Sequence, residues 1–234
     1  MKIEIWSDIM CPFCYIGKRR LEKALDQFDH SDDIALEWKS YQLNPDMKTD
    51  ADANINEYLA QTKGWSVAHA QQMNQRVTDM AAAEGLEYNM DEAVVANSFQ
   101  AHTLIQYAKS QSLGDEAEEA LFEAYFIKSR NIDDTETLLD IAVQVGLDPD
   151  ESHKALSSDT YAEAVKADIQ EARNMRVRGV PFFLLNKKYS ISGAQDTDIF
   201  LQALNKVWKE WNEQQDTVEL SEQSDAACDV DGNC

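Results

Sequence analysis

The chain has 234 residues, 44% of them hydrophobic, and a formal net charge of -22 at pH 7. This length allows one large domain or two small ones with a substantial buried core. The negative charge repels phosphate groups, so we expect neither nucleic acids nor anionic membrane surfaces as partners and attribute the acidity to solubility.

No segment approaches the roughly 18 apolar residues that a membrane-spanning helix needs. The first residues, from Lys2 to Asp8, alternate between polar and apolar side chains, unlike the basic patch and apolar run of a signal peptide. We therefore expect a cytoplasmic protein. In that reducing compartment, cysteines more often serve redox or metal chemistry than structural disulfides.

The N-terminal part of the chain is predicted to form a strand, a helix and a second strand. Alternation predicts the first strand at residues 2–7, and the apolar face of the following helix ends near residues 29–31. A second alternating run at 34–43 is closed by Asn44-Pro45. Such a unit predicts that the two strands are parallel.

The middle of the chain has almost no strand pattern and is predicted to be helical. Ser66 can cap a helix that runs to Gly85. Gly146 and Pro149 are interpreted as a break between two later helices. The further predicted helices are 94–111, 115–129, 134–145 and 158–176. Because this block is too long for a loop, we predict a helical insertion subdomain over residues 49–176.

The strand pattern returns after the helical block. Residues 181–186 and 189–192 form a hairpin pattern, and a final helix begins near Asp196 or Thr197. The order βαβ, helical insertion, ββα predicts an α/β fold with a mixed four-stranded sheet that is interrupted once.

The predicted domain limits follow from that order. Residues 1–48 and 177–214 together would form the sheet domain, and residues 215–234 would form an acidic tail that carries a second cysteine pair.

Cys11 and Cys14 lie at the start of the first predicted helix. Thiol–disulfide exchange needs a thiolate nucleophile and a second thiol close enough to resolve the mixed disulfide. The positive end of the helix dipole stabilises a thiolate at the first position, and Pro12 suits the first helical turn. We expect Cys11 to be the exposed nucleophile and Cys14, one turn inside, to be the resolving thiol.

A lone C-x-x-C pair has other interpretations. It could be half of a zinc site, or two ordinary cysteines. A structural zinc site needs four ligands, whose second pair usually lies in a compact ribbon or finger. The pair here lies inside a βαβ unit, which favours redox chemistry, so we expect no metal.

A proline begins the third predicted strand, in the run Gly179-Val180-Pro181-Phe182-Phe183. By spacing alone it would be an ordinary proline at a strand start. In thioredoxin-like folds such a proline is cis and faces the C-x-x-C pair, where nearby peptide groups can pair with an extended substrate. We therefore predict a cis bond at Pro181 and substrate binding by Val180 and Pro181.

The run from Trp6 to Lys18, WSDIMCPFCYIGK, resembles the DsbA-like thioredoxin family and specifically its FrnE branch. Three further segments are similar to that family, at 96–102, 178–182 and 192–195. The resemblance covers nearly the whole chain. It implies a thioredoxin-like fold with a large all-helical insertion, and disulfide oxidoreductase or isomerase activity that needs no bound cofactor.

The chain departs from the periplasmic oxidants of this family between its two cysteines. Pro12 and Phe13 stand where those oxidants carry Pro-His. Without the imidazole, the Cys11 thiolate loses a stabilising partner, so we expect a less oxidising pair. The expected lack of a signal peptide also argues against oxidative folding of secreted proteins.

Several other residues are candidates for an auxiliary role. Cys228 and Cys234 resemble the extra C-terminal pair of some FrnE proteins and are interpreted as a redox relay, the alternative being idle thiols. Asp8 is either a buried carboxylate beside the dithiol or a cap of the following turn. His102 matches a family position and either tunes Cys11 or is an ordinary histidine.

Three functions compete for this sequence. The first is a dithiol oxidoreductase or isomerase that acts on protein or peptide thiols and disulfides and is recycled by a redox partner. The second is a glutathione-dependent isomerase or transferase, similar to the kappa-type transferases and chromene carboxylate isomerases, which have a serine where Cys11 stands. The third is a non-catalytic holdase. The presence of both Cys11 and Cys14 favours the first; the oligomeric state is open.

Overall fold

A single four-stranded mixed sheet forms the centre of the computed structural model, which describes residues 1–225 and their side chains as far as residue 213. The strands are β1 (Lys2–Ser7), β2 (Ala35–Ser40), β3 (Phe182–Leu185) and β4 (Tyr189–Ser192), in the order β2-β1-β3-β4. β2 is parallel to β1, whereas β3 and β4 run antiparallel to their neighbours. The predicted fold class, an α/β thioredoxin-like fold, is confirmed.

The central position of β1 follows from its side chains. Ile5 of β1 lies opposite Trp38 of β2 on one side and Phe183 of β3 on the other. Every residue of β1 after Lys2 is buried, as expected for a strand that is covered on both faces.

Nine α-helices lie within the described residues, and seven of them separate β2 from β3. They are α1 (Pro12–Leu25), α2 (Ile55–Lys63), α3 (Val67–Ala83), α4 (Phe99–Ser110), α5 (Gly114–Phe122), α6 (Thr135–Gln144), α7 (Pro149–Leu156), α8 (Asp159–Asn174) and α9 (Thr197–Asp225). Short 3-10 turns occur at Ser31–Asp33 and Met90–Glu92, and a π-helical turn at Glu123–Ile127.

Two helices were missing from the sequence prediction. Helix α2 is capped by Asn54, whose side chain accepts hydrogen bonds from the N–H groups of Asn56 and Glu57. Pro149 was interpreted as part of a break but is the first residue of α7, where a missing N–H costs nothing. The Asp148 side chain caps that helix by accepting from the Glu151 N–H at 2.9 Å.

Several predicted boundaries were also wrong. The helix predicted at 94–111 begins only at Phe99, because Val95 is extended and its carbonyl accepts from the Asp50 N–H at 2.9 Å. The helix predicted at 115–129 gives way to the π-helical turn after Phe122. Helix α1 ends at Leu25 and β2 ends at Ser40, each a few residues earlier than predicted.

The apolar side chains form two cores. One packs α1 and α9 against the sheet and includes Ile5, Phe183 and Phe200. The other lies among the helices between β2 and β3 and reaches the first turn of α1, so that it includes both Cys11 and Cys14. Among the described helices, none has the length and apolar character needed to cross a membrane.

Candidate active site

The two cysteines occupy the first turn of α1, directly after β1. Cys11 is the N-cap residue, with extended backbone angles (φ -88, ψ 108), and Pro12 is the first helical residue. The Cys11 N–H donates to the Asp8 carbonyl at 2.8 Å, and the Cys14 N–H donates to the Cys11 carbonyl at 2.9 Å. These bonds fix one cysteine at the helix terminus and the other one turn inside.

Both cysteines are free thiols, and both are buried. Cys11 is 3% exposed and Cys14 1%, whereas Phe13 between them is 38% exposed. The expectation that Cys11 is exposed was therefore wrong. Its burial arises because the helices between β2 and β3 pack their apolar side chains over the first turn of α1.

Burial controls the chemistry of the inner cysteine. It raises the pKa of the Cys14 thiol well above its ordinary value, and the neighbouring Cys11 raises that pKa further. The Asp8 backbone and the Ser7 hydroxyl act in the opposite direction with smaller effects. Cys14 is therefore a neutral thiol at neutral pH and must lose a proton before it can attack a disulfide.

The loop before β3 faces Cys11. The Val180–Pro181 peptide bond is cis, as predicted. The Cys11 thiol donates to the Val180 carbonyl at 3.4 Å, and the Pro181 carbonyl accepts from the Gly193 N–H at 2.8 Å. Binding of substrate by Val180 and Pro181 stays a prediction.

Gly17 allows α1 to approach this loop closely. A methyl group at position 17 would lie 3.0 Å from Pro181 Cγ and 3.2 Å from Phe183 Cζ. We expect Gly17→Ala to destabilise the fold by about 1–3 kcal/mol, because Pro181 must move away from α1. Urea unfolding measures this effect.

Gly179→Ala is the matched control for Gly17→Ala. A methyl group at position 179 meets no heavy atom within 4 Å, so stability should be unchanged. Wild-type behaviour of both alanine variants would contradict the close packing of α1 against Pro181.

Asp8 holds the turn that precedes Cys11. It is fully buried; its Oδ1 accepts from the Met10 N–H at 3.3 Å, and its Oδ2 accepts from the Leu43 N–H at 2.7 Å. His102 Nε2 lies 3.5 Å from Asp8 Oδ1. Asp8 is thus both a buried carboxylate and a cap of its turn. His102 contacts Asp8, which in turn holds the backbone before Cys11. Its tuning of Cys11 stays a prediction.

Tyr88 is a site residue that the sequence prediction missed. Its hydroxyl donates to the Pro12 carbonyl at 2.8 Å, and its ring stacks on those of Tyr15 and Phe126. Burial, followed by the nearby Cys11 and Cys14, raises the pKa of this phenol, which therefore remains a donor. Tyr88 precedes a short 3-10 turn in a segment without periodicity, so no local pattern indicated its role.

A cavity of about 490 Å³ adjoins Cys11. Its walls come from α2, α3 and the π-helical turn, and they are mainly apolar. The lining includes Met10, Met47, Met73, Met90, Tyr125 and Phe126. At its rim, Phe13, Leu43 and Trp65 are 38%, 52% and 38% exposed. An apolar side chain that enters this cavity would lie beside the dithiol.

The remaining sequence predictions concern the tail cysteines and metal binding. Cys228 and Cys234 lie outside the described residues, so their predicted relay is untested. Among the described side chains, those of residues 1–213, no group of three or more histidine, cysteine, aspartate or glutamate residues is placed to hold a metal ion.

Comparison with known proteins gives one family for nearly the whole chain. Residues 2–205 match the family model of the DSBA-like thioredoxin domain. A Streptomyces coelicolor structure described as a probable DsbA oxidoreductase is 37% identical, with a TM-score of 0.84 over 90% of this chain and 91% of that chain.

More distant structures share the fold. The cytosolic disulfide reductase DsbM of Pseudomonas aeruginosa is 16% identical, with a TM-score of 0.62 over 93% of this chain and 100% of its own. A 2-hydroxychromene-2-carboxylate isomerase is also 16% identical, with a TM-score of 0.67 over 92% of this chain and 99% of its own.

Proposed function

Because the chain belongs to the DsbA-like thioredoxin family, we propose that it is a thiol:disulfide oxidoreductase that reduces or isomerises disulfides of proteins or peptides. The observation that supports this most directly is a pair of free thiols one helical turn apart, facing a cis-proline loop. Its specific membership of the FrnE branch is part of the same proposal.

The proposed reaction has two exchange steps. The Cys11 thiolate attacks one sulfur of the substrate disulfide, forms a mixed disulfide and releases the other substrate sulfur as a thiolate. Cys14 then loses its proton and attacks Cys11 Sγ, which releases the second substrate thiolate and leaves a Cys11–Cys14 disulfide. Two electrons pass to the substrate, and an external dithiol partner must return two electrons to regenerate the free thiols.

The cavity favours a polypeptide substrate with an apolar side chain near its cysteine. Methionine side chains adapt to different apolar shapes, and four of them line the cavity beside Cys11. The exposed rim residues Phe13, Leu43 and Trp65 extend this apolar surface outward. Such a surface suits loose binding of partly unfolded chains.

Glutathione is a less suitable co-substrate for this cavity. Its two carboxylates need cationic or N–H partners, and Lys63 is the one cationic side chain in the described lining. No bound cofactor enters the proposed reaction. Glutathione-dependent isomerisation is the alternative that the test below must separate.

We also propose a cytoplasmic site of action, where the pair would work in the reducing direction. The disulfide reductase DsbM, which shares this fold, is described as cytosolic. Cell fractionation with rapid alkylation of thiols tests this location. A redox titration of Cys11 and Cys14, in the full chain and in a chain truncated before Cys228, tests the tail relay.

Reduction of insulin by dithiothreitol tests the proposed function. The wild-type protein should accelerate insulin precipitation, and Cys11→Ser should reduce the rate to that of dithiothreitol alone, because a serine hydroxyl is a far weaker nucleophile towards sulfur. Equal rates for wild type and Cys11→Ser would reject disulfide reduction. Glutathione-dependent turnover in both proteins would instead support the isomerase alternative.

A further inference from the structure

The hydroxyl group of Tyr88 contacts the backbone between the two cysteines, and the reaction described above gives this contact no role. Tyr88 is 7% exposed, and its hydroxyl donates to the Pro12 carbonyl at 2.8 Å. Its ring stacks on two others, with centroids 6.1 Å from that of Tyr15 and 4.7 Å from that of Phe126. The Asn89 N–H donates to the Phe126 carbonyl at 2.7 Å, so the backbone beside Tyr88 is also fixed. The hydroxyl group therefore has a set position.

The Pro12 carbonyl and the Phe13 N–H belong to the same peptide group. Pro12 has no N–H, and the Cys14 N–H donates to the Cys11 carbonyl at 2.9 Å. Within the part of the chain that the structure describes, the Phe13 N–H has no acceptor. Among the first three residues of α1, Phe13 thus supplies the one backbone donor that is still available.

Cys11 needs such a donor when it ionises. It is the N-cap residue of α1, and a side chain at this position ordinarily accepts from the second or third N–H of the helix. The neutral thiol makes no such bond and donates instead to the Val180 carbonyl at 3.4 Å. A thiolate has no proton to donate, so its sulfur becomes a hydrogen-bond acceptor. The free Phe13 N–H, second in the helix, is the donor that the N-cap position offers to it.

We propose that Tyr88 is a positioning residue that stabilises the Cys11 thiolate through the Pro12–Phe13 peptide group. A hydrogen bond donated to the carbonyl end of a peptide group polarises that group and makes the N–H at its other end a stronger donor. Tyr88 transfers no proton in this role. The proposal deepens the proposed function, because it concerns the thiolate that begins the first exchange step.

The other ionisable groups around Cys11 keep their charges when the Tyr88 hydroxyl is removed. Burial raises the pKa of the Tyr88 phenol, so Tyr88 is neutral at neutral pH and Tyr88→Phe changes no charge there. The remaining groups belong to α1, the turn before it, α2 and the π-helical turn, and they are Cys14, Asp8, Tyr58, Lys63 and Tyr125. The variant therefore isolates the hydrogen bond to Pro12.

The pH profile of alkylation by iodoacetamide measures how readily Cys11 ionises. The test uses the full chain with Cys14→Ala, Cys228→Ser and Cys234→Ser, in which Cys11 is the one remaining cysteine. In this background, Tyr88→Phe should lower the ionisation constant of Cys11 about two- to fourfold, because the hydrogen bond to the thiolate loses about 10–30% of its strength. The plateau rate at high pH should be unchanged, because Cys11 is then fully ionised in both proteins.

Tyr15→Phe is the matched control. Tyr15 is buried in the same series of stacked rings, but its hydroxyl donates to Glu119 at 2.6 Å and not to the backbone between the cysteines. Its removal should leave the pH profile of Cys11 unchanged, even where it lowers the free energy of unfolding. A general loosening of the core would instead alter the plateau rate in both tyrosine variants.

Phe13→Pro provides a second, independent variant. It removes the N–H at the other end of the peptide group, at a position in the first helical turn where proline is tolerated. The ionisation constant of Cys11 should fall about tenfold or more, and Tyr88→Phe should then have no additional effect.

An unchanged pH profile in Tyr88→Phe, or in Phe13→Pro if the former does not fold, would overturn the proposal. A change in the plateau rate alone would also overturn it, because it would assign Tyr88 to access and not to ionisation. Alkylation needs no turnover. Failure of the wild-type protein to reduce insulin would therefore refute the proposed function and not the role of Tyr88.

Discussion

Replacement of Cys14 by alanine is expected to turn the protein into a covalent trap for its substrates. Cys11 can still attack a disulfide, but the mixed disulfide then has no thiol one turn away to resolve it. Only an external thiol can then release the substrate, and this bimolecular attack is much slower than attack by a thiol held one turn away. We expect insulin turnover to fall roughly 100-fold or more, because the two cysteines act as a unit and the loss of either one interrupts the reaction cycle.

The trapped species is the decisive measurement. Intact-mass spectrometry under non-reducing conditions should show Cys14→Ala carrying one insulin molecule, released by excess dithiothreitol. Cys228 and Cys234 are replaced by serine in both proteins, so that Cys11→Ser, the control, should carry none. An adduct on Cys11→Ser, or wild-type turnover by Cys14→Ala, would contradict the assignment of nucleophile and resolving thiol.

Glu118 is a buried carboxyl group of α5, 1% exposed, and Glu118→Gln is expected to stabilise the fold at alkaline pH. The folded protein raises the pKa of this carboxyl from 4.5 to about 7, so its charged form is disfavoured in the folded state. Below pH 4.5 the carboxyl group is uncharged in both the folded and the unfolded protein, and the folded state keeps its full stability. As pH rises from 4.5 towards 7, the free energy of unfolding falls, and above pH 7 the loss is constant. The difference corresponds to about 3 kcal/mol.

Urea unfolding at two pH values measures this effect. Glutamine does not ionise, so Glu118→Gln should gain up to about 3 kcal/mol over the wild type at pH 8 and almost nothing at pH 4. Glu116 is an exposed residue of the same helix, so the control variant Glu116→Gln should show no such pH-dependent gain. A variant less stable than the wild type at pH 8 would show that the Glu118 carboxylate is well accommodated, contrary to the pKa shift.

The parts of the fold that the sequence predicted well depend on local patterns. Alternation identified β1 and β2, and Cys11 and Cys14 identified the first turn of α1. Each of these signals is present within a short stretch of chain, because strand pairing and helix capping are decided by neighbouring residues. Local patterns failed where one residue has two uses, as with Pro149, which ends one segment and begins the next.

The burial of Cys11 could not be predicted in that way, because the residues that cover it come from distant helices. Tyr88 reaches the Pro12 carbonyl from a segment without periodicity. Glu118 did leave a signal. It stands three and four residues before Leu121 and Phe122, in the apolar stripe of α5, where a charged side chain is unusual. A carboxyl group at such a position indicates a buried polar site.

The order in which the active site is assembled follows from the connection of its parts. Cys11 and Val180, which meet at 3.4 Å, are 169 residues apart, and β1 finds its neighbour β3 only after the intervening helices have been made. Pairings of such long range form slowly, and a chain emerging from the ribosome folds its earlier parts first. Each newly synthesised chain therefore presents Cys11 and Cys14 before the loop that contains Pro181 has been made, and the contact between Cys11 and Val180 is among the last to form.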